Sequence, residues 1–164
     1  MAEEKRERAQ KVFATVCEML DSHNWHYEKD EEKMRISCQA RGDDFPIGIV
    51  FRVHEDRQLL TLLSHLPFTI SEEKRLDAAI ATSIVNYALA DGSFDLDITD
   101  GHMFFRLTSS FIESEIGIEA IDYMLAIAGR IVDEFNDKFF MLSKGVIGVE
   151  EFIKMTSSGG NNNG

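Results

Sequence analysis

In two segments between Met34 and Val53 apolar residues recur on every second position, and this alternation constrains the fold more than any other feature. Met34, Ile36, Cys38 and Ala40 alternate with Arg35, Ser37, Gln39 and Arg41, and Ile47, Ile49, Phe51 and Val53 alternate with Gly48, Val50, Arg52 and His54. A period of two marks a strand buried on one side. Trp25 and Tyr27 begin a shorter strand that fades into the charged turn Lys29-Asp30-Glu31-Glu32-Lys33, and Leu59 to Leu66 is a fourth apolar run, ended by Pro67. The joints Arg41-Gly42-Asp43-Asp44 and Glu55-Asp56-Arg57 are too short for crossover helices. The four strands therefore form an antiparallel meander.

Three segments carry the helical period instead. Ala9, Val12, Phe13, Val16, Cys17 and Leu20 share one face of a helix from about Glu4 to Ser22, which Ser22-His23-Asn24 breaks. A second helix opens at Thr69-Ile70-Ser71-Glu72, either as a capping box or with Ser71 as the cap, and Asp91-Gly92 ends it. Phe94, Leu96 and Ile98 then alternate with Asp95 and Asp97, and Met103 to Thr108 returns as a partner strand after the hairpin signal Asp100-Gly101. From Ile118 to Leu142, Ile121, Met124, Leu125, Ala128, Ile131, Val132, Phe135, Phe139 and Leu142 line one side of a third helix, which Gly145 stops. Val149 to Ile153 suits one further turn, and residues 156–164 read as a disordered polar tail beyond a single domain spanning 1–155. The predicted order α-β-β-β-β-α-β-β-α is an α+β fold, an antiparallel sheet packed with helices.

Charge and composition narrow the function. Among 164 residues, 29 Asp and Glu outweigh 17 Lys and Arg, a formal net charge of −12 that argues against a nucleic-acid partner. The longest uncharged apolar-rich run, Ala78 to Ala90, has 13 residues and is too short to span a bilayer. The first eight residues lack the apolar core of a secretory signal, so a cytoplasmic protein is expected, with Cys17 and Cys38 as small, reduced core residues.

Nothing in the sequence nominates a reaction or a cofactor. Asp95, Asp97, Asp100 and Gly101 resemble a calcium loop only superficially, because placing Gly101 at loop position 6 puts Leu96 at position 1 and Leu107 at position 12. They read instead as a solvated strand edge and a tight turn. His23 and His26, even with His54 and His65, lack the spacing of a metal site. Arg41-Gly42-Asp43 is a turn, phosphate-binding glycine loops and a nucleophile elbow are missing, and the paired carboxylates Asp43 and Asp44 lie in a hydrophilic turn.

One set of segments resembles a known family. Ala90-Asp91-Gly92-Ser93-Phe94-Asp95-Leu96-Asp97, then Asp100-Gly101 and Phe105-Arg106, is similar to the signature of the YbjN-type bacterial domain, labelled a sensory transduction regulator. Leu66-Pro67 leading into Ser71-Glu72-Glu73-Lys74-Arg75, and Lys144-Gly145-Val146-Ile147-Gly148 before a short acidic turn, are similar too. The likeness covers roughly residues 10 to 153. It implies a fold like that of the type III secretion chaperones, small acidic cytoplasmic dimers that hold an extended segment of another protein. It implies no catalytic residue.

Two surfaces follow as expectations. In the second helix Leu76, Ile80, Ile84, Tyr87 and Ala88 form an apolar stripe that Ala81, Val85 and Leu89 widen, leaving Arg75, Thr82, Asn86, Ala78 and Ala79 on the remaining side. Such a helix needs cover, either from another helix of the same chain or from its own copy across a two-fold axis, and the resemblance favours a homodimer through Leu76, Ile80, Ala81, Ile84, Val85 and Leu89. If Phe105 and Leu107 point to the helices, then Phe104, Arg106 and Thr108 face away and offer a partner-binding surface, with Asp95 and Asp97 on its rim. The expected function is a non-enzymatic protein-binding or regulatory module that uses no cofactor. The alternative is a small-molecule sensor with a pocket between sheet and helices.

Overall fold

The computed structural model describes residues 1–158, and the rest of the expected tail lies outside the described residues. Helix α1 (Ala2–Ser22) is followed by β1 (Tyr27–Asp30), β2 (Arg35–Ala40), β3 (Ile47–His54) and β4 (Leu59–Thr69). Helix α2 (Arg75–Ala88), preceded by a 3-10 turn over Glu72–Lys74, leads to β5 (Ser93–Leu96), β6 (His102–Ser110), α3 (Ile118–Ser143) and α4 (Val149–Ser158). The six strands form one antiparallel sheet in the order β1-β2-β3-β4-β6-β5. The meander is thus as expected, and α2 carries the chain past the place of β6 so that the last hairpin adds to β4 through its second strand.

Burial explains why the alternating segments are strands. Ile47, Ile49, Phe51 and Val53 of β3, Leu60, Leu62, Ser64 and Leu66 of β4, and Met103, Phe105 and Leu107 of β6 are all buried on one face. There α1 contacts β3, while α3 contacts β3, β4 and β6. A chain of ring contacts ties the far side together: Phe105 meets Phe94 edge-to-face at 5.3 Å, and tilted pairs join Phe94 to Phe139 at 5.2 Å and Phe139 to Phe152 at 5.1 Å.

The ends of α1 and α3 share one device. Asn24 adopts a φ of 56° while its N–H reaches Asp21 O and the Trp25 N–H reaches Leu20 O; Gly145 (φ 69°) and Val146 do the same to Leu142 O and Met141 O. Both are left-handed caps that satisfy carbonyls the helix leaves open.

Four local expectations change. Strand β4 runs through Pro67 to Thr69 instead of stopping, because the ladder to β6 is irregular between His65 and Thr69, where a missing N–H costs no regular bond. Helix α2 ends at Ala88, where Leu89 turns extended, so Gly92 (φ 71°) is no helix cap; a Cβ there would strike the Phe105 ring. Ser71 heads the 3-10 turn without a side-chain capping bond. The last turn is a full helix, α4, which buries Phe152 and continues through Thr156–Ser158 into the polar stretch.

Candidate functional site

The buried apolar strand positions all point to the helices, and the alternate positions form an open face of the sheet, in which Thr61 is buried between Arg52 and Thr108. Arg35, Gln39, Gly48, Arg52, His65, Arg106 and Thr108 are exposed there, with Val50, Leu63 and Phe104 half-buried among them. Register aligns these residues into rows: Arg35 lies opposite Arg52, Arg52 opposite Thr61 and Thr61 opposite Thr108, while Val50 lies opposite Leu63 and Leu63 opposite Arg106.

The residues expected to face away from the helices, Phe104, Arg106 and Thr108, occupy this face. Arg106 donates from Nη2 to Asp95 Oδ2 at 2.9 Å, so Asp95 is a partner of the surface and not only its rim. Asp97 belongs to the turn: its Oδ1 accepts from the Thr99 N–H at 2.9 Å and the Thr99 hydroxyl at 2.6 Å, and these bonds hold its carboxyl below the usual carboxylate range. Phe104 stacks at 5.4 Å from His65 and 6.3 Å from His102, and His65 Nδ1 lies 2.7 Å from His102 Nε2. Sequence reasoning missed this imidazole pair. His65 shares its face with Leu63, which the alternation reveals, but only the pairing of β4 with β6 brings His102 beside it. Burial, His102 and Arg35 together push the His65 imidazole below its ordinary pKa.

Helix α2 divides the residues expected at its dimer face. Ala78, Ala81, Thr82 and Val85 are its buried residues, while Leu76 is 70% exposed, Ile80 44% and Tyr87 95%. The small and polar side goes inward because its polar groups are satisfied there: Thr82 Oγ1 donates to Ala78 O, and the Asn86 amide accepts from the Phe94 N–H at 2.8 Å and donates to Phe94 O at 2.9 Å. Helices α3 and α4 and strand β5 cover that side. Ala81 and Val85 therefore belong to the core and Leu89 packs against it, leaving Leu76, Ile80 and Tyr87 outside with half-buried Ile84.

A shallow apolar groove of about 440 Å³ lies between sheet and helices, lined by His23, Trp25, Ala40, Ile49, Leu125 and Gly129 among others. Both thiols are half-buried; burial raises each, Cys38 to about 11, so neither is an activated nucleophile. His23 sits 3.3 Å from Asp122, and the Asp43 N–H of the Arg41–Asp44 turn donates to Asp133 of α3 at 2.8 Å. Among the described residues no three His, Cys, Asp or Glu side chains converge as metal ligands would, and no helix is long and apolar enough to cross a membrane.

Solved structures share this architecture. YbjN, described as "a putative transcription regulator from E. coli", superposes at a TM-score of 0.57 with 12% identity, over 77% of this chain and 92% of that one. The ExsC-ExsE complex contains a chain matched at a TM-score of 0.55 and 14% identity, over 79% and 93%. The HopA1-SchA chaperone-effector complex gives 0.47 and 14%, over 71% and 88%. No curated protein matches in sequence. The chain shares its fold with YbjN and with a chain of the ExsC-ExsE complex. Residues 13–141 match the YbjN family, described as "Putative bacterial sensory transduction regulator", and with most of its length inside that match the chain belongs to the YbjN family.

Proposed function

We propose that the protein is a non-enzymatic regulatory module of the cytoplasm that holds a segment of another protein on its open sheet face. The observation that carries this reading is the one-sided cover of the sheet: the buried apolar strand positions all face the helices, and the other face presents Phe104, Leu63 and Val50 between charged side chains. Apolar positions framed by polar ones suit an extended or helical segment better than a small substrate, which needs to be enclosed. Family membership and the likeness in fold to a chain solved in the ExsC-ExsE complex support the same reading. The test is a photo-reactive amino acid at Phe104 in the native cell. A stoichiometric protein adduct is the expected result; irradiation that yields no protein adduct overturns it.

The same reading includes a homodimer through α2. Leu76, Ile80 and Tyr87, with Ile84 beside them, form an exposed apolar stripe of the kind that a two-fold interface covers. Light scattering at micromolar concentration should give twice 18.6 kDa, and Leu76→Ser with Tyr87→Ser should halve it. A monomer at that concentration removes the dimer.

A small-molecule sensor is the second reading, and the Trp25 groove favours it. Gly129 lies mid-helix on the groove wall, and a Cβ there would meet nothing within 4 Å, so packing does not require glycine. A metabolite panel read by melting temperature tests it: a hit abolished by Gly129→Leu supports a sensor, and a silent panel rejects it.

A further inference from the structure

We propose that a second region of the open face, over β2, β3 and β4, takes an acidic peptide segment that also carries an apolar side chain. This rests on the reading of the protein as a protein-binding module and names both a place and a partner chemistry for it.

A shallow depression of about 580 Å³ is lined there by Glu32, Lys33, Arg35, Val50, Arg52, Leu63 and His65. Arg35 and Arg52 are directly opposite in the register of β2 and β3, on the same face, both exposed. Neither guanidinium has an ion-pair or hydrogen-bond partner among the described residues. Like charges directly across an antiparallel pair destabilise a sheet. In a chain with twelve more acidic than basic residues, carboxylates to relieve them are plentiful. The nearest in register, Asp30 opposite Arg35, is engaged elsewhere, its Oδ2 lying 3.3 Å from Lys33 Nζ and its Oδ1 accepting from the Lys33 N–H. Arg106, two strands from Val50, is likewise committed to Asp95. Two forked cations thus stand free beside the half-buried pair Val50 and Leu63, which lie opposite one another one row along.

Charge complementarity selects the occupant. A guanidinium pairs a carboxylate through two parallel bonds, so Arg35 and Arg52 suit two acidic side chains spaced by a strand, with an apolar side chain of the same segment over Val50 and Leu63. The depression is too open to enclose a small anion. A nucleic-acid strand presents a charge at every phosphate, whereas this patch sets one opposed pair of arginines beside an apolar pair.

The experiment is fluorescence anisotropy on the full chain with three labelled twelve-residue peptides: Asp/Glu interspersed with Leu and Phe, the same peptide with Asn/Gln for Asp/Glu, and a Lys version. A single-stranded oligonucleotide of equal charge is the fourth probe. The acidic peptide should bind saturably, lose affinity as salt rises, and weaken about tenfold in Arg35→Ser/Arg52→Ser, while Arg35→Lys/Arg52→Lys retains part of the binding. Circular dichroism of each variant confirms folding. No saturable binding of the acidic peptide, equal binding of the oligonucleotide, or indifference to both Arg substitutions overturns the site. A protein captured at Phe104 whose yield survives Arg35→Ser/Arg52→Ser would sink this site and leave the module reading standing.

Discussion

The sheet ends at β5, a four-residue strand whose outer edge would otherwise be unpaired, and Asn86 closes it. The Phe94 N–H and C=O point away from β6 into the Asn86 amide, which supplies one acceptor at 2.8 Å and one donor at 2.9 Å, as a neighbouring strand would. Asn86→Ala removes both bonds. At about 1 kcal/mol net for each hydrogen bond the loss is about 2 kcal/mol. Alanine's better helix propensity returns about 0.6 kcal/mol within α2, leaving about 1.5 kcal/mol of destabilisation. With an m-value of about 2 kcal/mol/M for a domain of this size, the urea midpoint should fall by about 0.7 M. Native-state amide exchange localises the effect, since the Phe94 amide loses its own acceptor and should speed up by more than the roughly tenfold with which globally protected core amides follow the lost stability. Asn86→Asp sharpens the test: it keeps the acceptor but sets a carboxylate against Phe94 O at neutral pH. The neutral acid can donate there, so the pKa of the introduced carboxyl rises in the fold. The stability of that variant should therefore recover on acidification and be lost as pH rises through the raised value. An unchanged midpoint for Asn86→Ala, or a lower midpoint with Phe94 exchange unaltered, would refute the edge-closing role.

Gly101 has a φ of 79° and a Cβ there would lie 2.0 Å from Ile70 O, so Gly101→Ala should cost at least about 2 kcal/mol in urea unfolding; a neutral result would mean the hairpin can shift aside. Ser64 Oγ is fully buried without a hydrogen-bond partner, so Ser64→Ala should stabilise by about 1 kcal/mol, and a loss of stability would reveal an unseen partner such as a buried water. The imidazoles of His54 and His65 are both held below their ordinary pKa, His54 by burial with Arg52 and Arg57, His65 by burial with His102 and Arg35. Their stabilisation is present above about pH 6.5 and lost as pH falls through the depressed values, so the wild type should lose stability relative to His54→Asn/His65→Asn between pH 7.5 and 5.5; parallel curves would contradict this. Burial raises the Cys38 thiol to about 11, so it should react with Ellman's reagent at pH 8 about tenfold more slowly than in the unfolded chain, and rapid labelling of the folded protein would show the thiol is not shielded.

The period of two in β2, β3 and β6 and the 3.6-residue period in α1 and α3 are properties of single segments, and one buried face dictates each. That is why the element order, the meander and the direction of Phe104, Arg106 and Thr108 were legible without coordinates. Gly101 and Gly145 were legible for a similar reason, since a left-handed backbone at a turn selects glycine locally. Helix α2 was legible as a helix but not in its orientation. Hydrophobicity alone would turn Leu76, Ile80 and Tyr87 inward, yet Thr82 and Asn86 satisfy their polar groups against Ala78 O and Phe94 and let small side chains pack closely. Likewise α4 depends on Phe152 reaching Phe139, and the His65–His102 pair depends on β6 inserting beside β4. Local periodicity determined what each segment becomes. Which faces and side chains meet was decided only by the tertiary structure, because hydrogen-bond partners and packing neighbours dozens of residues apart leave no periodic trace in the chain.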